Sequence, residues 1–254
     1  MIGLTGVWYE VAGAGDPVVL LHSGVTDARM WAPQWEALTA SFRVVRLDFR
    51  GYGRSPWAAD GPYSDDGDVA ELLASLGLRE VAVVGASHGG RVALELATRH
   101  PDLVSRLVLL NAGCGLPATP DLEEFGAEED RLIEAGDIAG AADLNARTWL
   151  GPEADDATRA WVSQMQRDAF ELQLKADPEP ERVRGEIDLA RIRVPALVVT
   201  GDHDLLYFQE TARHLARTLS TASLVRLEWA GHLPSMERPA ETTRIIEEFL
   251  TGRS

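Results

Sequence analysis

Six short runs of β-branched and leucine residues, each separated from the next by a stretch of helical apolar spacing, set the strongest limit on what this chain can fold into. The runs are Val18-Val19-Leu20-Leu21, Val44-Val45-Arg46-Leu47, Val81-Ala82-Val83-Val84, Leu107-Val108-Leu109-Leu110, Ala196-Leu197-Val198-Val199 and Leu224-Val225-Arg226-Leu227. Strands that are apolar at nearly every position must be covered on both faces, so their alternation with helices predicts a mostly parallel sheet flanked by helices, an α/β fold. Helical spacing falls at 31–40, 66–76, 91–100, 210–219 and 240–250, where the crossovers need it. A further run, Val7-Trp8-Tyr9-Glu10-Val11, is followed by Gly13-Ala14-Gly15-Asp16-Pro17. That turn predicts an N-terminal hairpin, so that the sheet begins antiparallel and continues parallel.

The alternation stops after Leu110. From 113 to 185 only acidic helical patterns occur, at 121–134 and 158–174, until Ile192-Arg193-Val194-Pro195 restarts it. Residues 112–190 hold 19 Asp and Glu against 7 Lys and Arg, a net −12 out of −16 for the whole chain. A structureless loop of that length does not belong in a compact domain, so the stretch predicts a helical cap laid over the carboxyl edge of the sheet. The expected division is a core of residues 1–112 and 186–254 and a cap of residues 113–185, sizes that one hydrophobic core can serve.

The charge argues against nucleic acid and anionic membranes as partners, since both need basic patches to displace counterions. Cys114 is the only cysteine, which excludes an intrachain disulfide and a multi-cysteine metal site. Lys175 is the only lysine and lies in the charged insert, a poor setting for Schiff-base chemistry. No basic, apolar leader opens the sequence and no run approaches about 18 apolar residues, so a cytoplasmic protein with a small-molecule substrate is expected. No cofactor is expected. Gly51-Tyr52-Gly53 lacks the third glycine of a dinucleotide fingerprint, and the elbow described next lacks the lysine of a phosphate loop.

Gly85-Ala86-Ser87-His88-Gly89 lies between a strand and a helix, the setting of a G-x-S-x-G nucleophile elbow. The glycines allow a turn tight enough to lift the serine hydroxyl clear of the sheet, at the positive end of the next helix. A serine hydroxyl is weakly nucleophilic near neutral pH and requires a base, and the base requires an acid to hold its tautomer. Gly201-Asp202-His203-Asp204 and Ala230-Gly231-His232 each follow a strand, giving Ser87, Asp204 and His232 in order along one sheet edge. A metal at Asp202-His203-Asp204 is not expected, because adjacent residues on one loop converge poorly and no H-E-x-x-H completes the set. His88, His100 and His214 fall in or beside helices, where their side chains read as structural, and His203 reads as loop.

These stretches, with Leu20-Leu21-His22-Ser23-Gly24, Asp48-Phe49-Arg50-Gly51-Tyr52-Gly53-Arg54-Ser55 and Gly231-His232-Leu233-Pro234-Ser235-Met236-Glu237-Arg238-Pro239, resemble the motifs of the α/β-hydrolase family. Leu21 to Trp31 and Thr148-Trp149-Leu150-Gly151-Pro152 most resemble its 3-oxoadipate enol-lactonase-like and esterase members. The resemblance implies the α/β-hydrolase fold with a cap inserted after the family's sixth strand. It selects Asp204 over Asp202 as the acid, being the second acidic residue of the family's G-[DE]-x-D pattern, and Asn111-Ala112-Gly113 offers no carboxylate after the sixth strand, where some members carry their acid. It also implies an oxyanion hole made by the backbone N–H groups of His88 and Gly24, with Ser23 a rival donor since His-Ser-Gly stands where His-Gly is commoner. The implied activity is hydrolysis of an ester or lactone through an acyl-enzyme. C–C bond hydrolysis by the same triad and ligand binding without turnover are the alternatives within the fold. Trp31, Trp149 and Arg147 are the expected pocket residues, with Phe125, Trp161 and Phe170 as further aromatic candidates. The acidic cap favours neutral substrates, while Arg147 is the group that would hold a carboxylate.

Overall fold

A computed structural model describes Ile2 and residues 6–252. Its sheet contains β1 (Tyr9–Ala12), β2 (Pro17–Leu21), β3 (Arg43–Leu47), β4 (Val81–Ala86), β5 (Val104–Leu110), β6 (Ala196–Gly201) and β7 (Ala222–Leu227), in the spatial order β1-β3-β2-β4-β5-β6-β7. Every neighbouring pair is parallel except β1 with β3. Successive residues of a strand face opposite sides, and the apolar runs accordingly feed two cores. Val19 and Leu21 of β2 and Leu107 and Leu109 of β5 join one core with α2 (Asp65–Ser75) and α3 (His88–Arg99). Val18, Leu20, Val108 and Leu110 join the other, with α1 (Ala32–Leu38) and α9 (Pro239–Thr251).

The insert forms α4 (Pro120–Glu134), α5 (Ile138–Trp149) and α6 (Asp156–Gln173). Some of its acidity caps these helices: Asp137 accepts the Gly140 N–H and Asp155 the Thr158 N–H, each satisfying an orphan donor at a positive helix end. Ala146, Trp149, Val162 and Met165 pack into the second core, so the insert rests on the sheet rather than on a core of its own. Polar ties reinforce this seat. Arg29 bridges Asp27 in the core and Asp168 of α6 at 2.6 and 2.7 Å, and the Gln173 amide donates to the Gly51 carbonyl. The Leu206 N–H, at the start of α7 (Leu206–Thr218), donates to Asp121 of α4.

Three expectations are corrected. The antiparallel partner of β1 is β3, not β2: the Gly13 and Gly15 turn, at φ +77° and +114°, carries the chain across β3 instead of folding it back. A Cβ on Gly13 would lie 2.1 Å from the Phe42 carbonyl oxygen, so the turn is fitted to the segment that enters β3. The insert follows β5, the fifth strand among the described residues, rather than a sixth. Helix α5 had no counterpart among the expected helical segments. Among the described residues no helix is long and apolar enough to cross a membrane.

The start of α3 approaches the end of β2 backbone to backbone. A Cβ on Gly89 would stand 2.2 Å from the Leu21 carbonyl oxygen and 2.6 Å from that of His22. Gly89→Ala is therefore expected to cost on the order of 3 kcal/mol in thermal or denaturant unfolding. Gly126→Ala, in α4 with open space at its Cβ, should instead stabilise by up to about 1 kcal/mol.

Candidate active site

Ser87 stands where β4 turns into α3, at φ +51° and ψ −111°, a strained backbone conformation for a residue with a side chain. The surroundings hold it there. Its N–H donates to the Leu110 carbonyl at 2.9 Å, and its carbonyl accepts from Arg91 at 3.0 Å and Gly113 at 3.3 Å. Gly85, Gly89 and Gly90 each approach other atoms too closely for a Cβ, at 2.2 to 2.4 Å, which explains the glycines around the serine.

Asp204 follows β6 and His232 follows β7. His232 Nδ1 lies 2.6 Å from Asp204 Oδ2, and both side chains are buried. The other Asp204 oxygen accepts the Leu205 N–H at 2.7 Å. Burial pushes the Asp204 carboxyl up, while the imidazole and the Leu205 N–H pull it down. With the carboxylate ionised, the Nδ1 proton is fixed toward Asp204 and Nε2 is left as the basic nitrogen. Asp202 faces the surface instead and pairs with Arg226 at 2.8 Å. Among the described residues no group of three or more His, Cys, Asp and Glu side chains could hold a metal ion.

One residue passed over in the sequence ties these loops together. Asn111, just past β5 at φ +45°, donates its side-chain amide to the carbonyls of Gly231 at 3.1 Å and His232 at 2.9 Å, and accepts the Gly201 N–H at 2.9 Å. The loop after β7 is thereby drawn across β6 toward β5, whose Leu110 carbonyl holds Ser87. Its only sequence signal was a side chain able both to donate and to accept, at a strand's carboxyl end.

The two residues expected to supply the oxyanion donors lie close together. A Cβ on Gly24 would lie 3.5 Å from His88 Cβ, and among the described residues neither the Gly24 nor the His88 N–H is taken up by a protein acceptor. The Ser23 N–H turns into the interior toward Met30 sulfur at 3.4 Å, which favours Gly24. Behind this turn His22 is fully buried. Its Nε2 accepts the Phe49 N–H at 2.9 Å, so Nδ1 carries the proton and donates to the Ser23 carbonyl at 2.7 Å. Burial drives the His22 pKa down to about 4. The His88 ring is anchored by Asp65 at 2.9 Å. Burial opposes ionisation of Asp65, but the His88 bond and Arg182 outweigh it and hold the carboxyl below its ordinary range.

The pocket expectations divide. Trp149 reaches the site: its ring packs 4.6 Å from the His232 imidazole, and its carbonyl accepts the His232 N–H at 2.7 Å. Phe125 backs Trp149 at 4.7 Å. Phe208, not foreseen, packs 4.2 Å from His232. Arg147 does not reach the site. Two residues before Trp149 is roughly 200° around a helix, and Arg147 lies exposed in a cleft with Arg159 and Arg167 between α5 and α6. Trp31 is wholly buried in the second core, Phe170 is buried in α6, and Trp161 is 40% exposed. Asp48 holds the turn, its carboxylate accepting the N–H groups of Ala28 and Arg54.

Two measurements follow from this geometry. Asp204→Asn should lower turnover roughly 10⁴-fold, whereas Asp202→Asn, which loses a surface pair, should change it little; the reverse ranking would reassign the acid. His22 should stay neutral in the folded protein as pH falls through 6 and 5, while the unfolded chain takes up the proton. Stability from this group therefore declines on acidification from about pH 7 to 4, by about 3 kcal/mol in all. Imidazole nitrogen shifts that reveal protonation of His22 near pH 6 would contradict it.

Comparison with known proteins agrees with this fold. Residues 18–245 match the model described as the Alpha/beta hydrolase family. The chain is 32% identical to the protein named "Putative carbamate hydrolase RutD" of Caulobacter sp. (strain K31), over 98% of this chain and 97% of the relative. Among solved structures, the enol-lactonase from Burkholderia xenovorans LB400 superposes with a TM-score of 0.80 at 29% identity, over 96% of each chain. Est816, described as an N-acyl homoserine lactone degrading enzyme, does so with a TM-score of 0.77 at 27% identity, again over 96% of each chain. From a match that runs through both arms of the core and the insert between them, this chain belongs to the alpha/beta hydrolase family.

Proposed function

We propose that the protein is a serine hydrolase that cleaves a carboxylic ester or lactone of a small molecule through an acyl-enzyme. The observation that carries this reading is the buried 2.6 Å pair of His232 and Asp204 on the same sheet edge as a serine held at φ +51°. Ser87 Oγ attacks the carbonyl carbon as His232 Nε2 takes its proton, and the N–H groups of Gly24 and His88 receive the negative oxygen. Collapse of the tetrahedral adduct expels the alkoxide, which His232 protonates. Water then attacks the acyl-serine by the same route, releasing the acid and restoring Ser87.

The surroundings favour a neutral, moderately apolar substrate. Trp149 and Phe208 cover the base, while Glu123, Glu124, Asp130, Glu134 and Asp137 of the insert are exposed. Their field fades beyond about 8 Å at physiological ionic strength. A carbamate is the second reading, supported by the name of the relative over nearly the whole chain. It offers the same carbonyl to the same serine.

A fluorophosphonate probe followed by peptide mapping should label Ser87, and Ser87→Ala should lower hydrolysis of the best substrate about 10³-fold or more while leaving the fold intact. An unlabelled Ser87, or a variant with the wild-type rate, would overturn the mechanism. Matched esters, lactones and carbamates assayed together rank the substrate classes.

A further inference from the structure

Glu237 closes the short helix α8 (Pro234–Glu237), five residues beyond His232. Its Oε2 accepts the N–H groups of Gly151 at 2.9 Å and Gly231 at 3.0 Å; its Oε1 accepts those of Gly231 at 3.1 Å and Leu233 at 3.2 Å. Gly231 and Leu233 flank His232, and Gly151 is the second residue past α5. Among the described residues no cation pairs with this carboxylate. The adjacent Arg238 is engaged by Glu153 and Glu241, and the Arg159 guanidinium donates to the Gly151 carbonyl.

A half-buried carboxylate without a counter-ion is costly unless donors surround it. Here every bonded neighbour of both oxygens is a backbone N–H, so the position demands an acceptor-only group. An amide would set its own N–H against at least one of these donors. Apart from the Glu237 carboxylate, the two loops meet backbone to backbone: a Cβ on Gly231 would stand 2.4 Å from the Gly151 nitrogen, and one on Gly151 2.5 Å from Glu237 Oε2 and 2.7 Å from the Gly231 nitrogen.

We propose that Glu237 is the positioning residue for His232 and that it works through the cap, locking the turn of Trp149 to Gly151 onto the histidine loop so that the imidazole and the indole covering it move as one body. Glu237 touches no substrate. The inference rests on reading His232 as the base, because only then does the placement of its loop set the rate.

Glu237→Gln keeps the volume and replaces one acceptor oxygen by a donor. It should lower kcat about 10²-fold, the scale of a small misplacement of a catalytic group, while KM stays within about threefold. The downfield resonance of the Nδ1 proton in the 2.6 Å Asp204 bond should broaden or move upfield, and Glu153→Gln, an exposed neighbour, should leave both kcat and the resonance unchanged. Wild-type kcat together with an unmoved Nδ1 resonance in Glu237→Gln would overturn the proposal. If that variant does not fold, amide hydrogen exchange in the wild type decides: Gly151, Gly231 and Leu233 should exchange at one common slow rate, and three unrelated rates would overturn the clamp. The resonance and exchange measurements need no turnover, so failure of the hydrolase reading and failure of the clamp are separately visible.

Discussion

The Asn111 amide holds the site in its working shape. Its three hydrogen bonds all go to backbone, at the end of β6 and on the loop that follows β7, and all of them are buried. Neighbouring strands lie about 4.8 Å apart, so loops leaving β4 and β7 would emerge roughly 14 Å from one another if each continued straight. The Asn111 bonds to the Gly231 and His232 carbonyls draw the β7 loop back toward β5, the displacement that the proposed pairing of His232 with Ser87 requires. A carboxylate at 111 could accept the Gly201 N–H but would repel both carbonyls. Position 111 is given to the architecture of the loops, and in the proposed mechanism the acid is Asp204.

Burial then sorts the imidazoles into different tasks. His22 has both ring nitrogens committed to backbone and is held neutral well below the usual histidine range, so it serves as a rigid spacer behind the Gly24 turn. His88 directs its ring to Asp65 and leaves its main-chain N–H for the site. His232, whose side chain is almost wholly buried, joins one nitrogen to a buried carboxylate and lies against the Trp149 and Phe208 rings. Each arrangement follows from which partner meets each nitrogen, and the ring chemistry is the same in all three.

What the sequence revealed and concealed has a common physical basis. Strands β2 to β6 were legible because burial on both faces writes itself as nearly continuous apolar runs, and the largely exposed edge strand β7 by its leucine and valine run alone; Ser87, Asp204 and His232 were legible because each sits within a few residues of a run's end. The pairing of β1 was not legible: glycines announce a turn, but the choice between β2 and β3 is made by contacts with residues 39–42. Trp149 and Arg147 were proposed side by side, and the helical period separated them onto opposite faces of α5. Glu237 was visible within a motif, yet one of its partners lies 86 residues away and all are backbone donors, for which no side-chain pattern exists.

The bare backbone contact between Gly151 and Gly231 bears on how such an enzyme can be rebuilt. Helices α4, α5 and α6 present side chains that can be exchanged to reshape a binding cavity, but where Gly151 meets Gly231 neither loop has one to exchange. A lid transplanted from a relative, or shuffled in a library, would fold and still misalign the histidine if its joint carried even a methyl group or met the core one residue out of step. Diversification of this scaffold is free along the lid and closed at its hinge with the core, so recombination points belong on the far side of Pro152 and ahead of α5, never between Trp149 and Gly151.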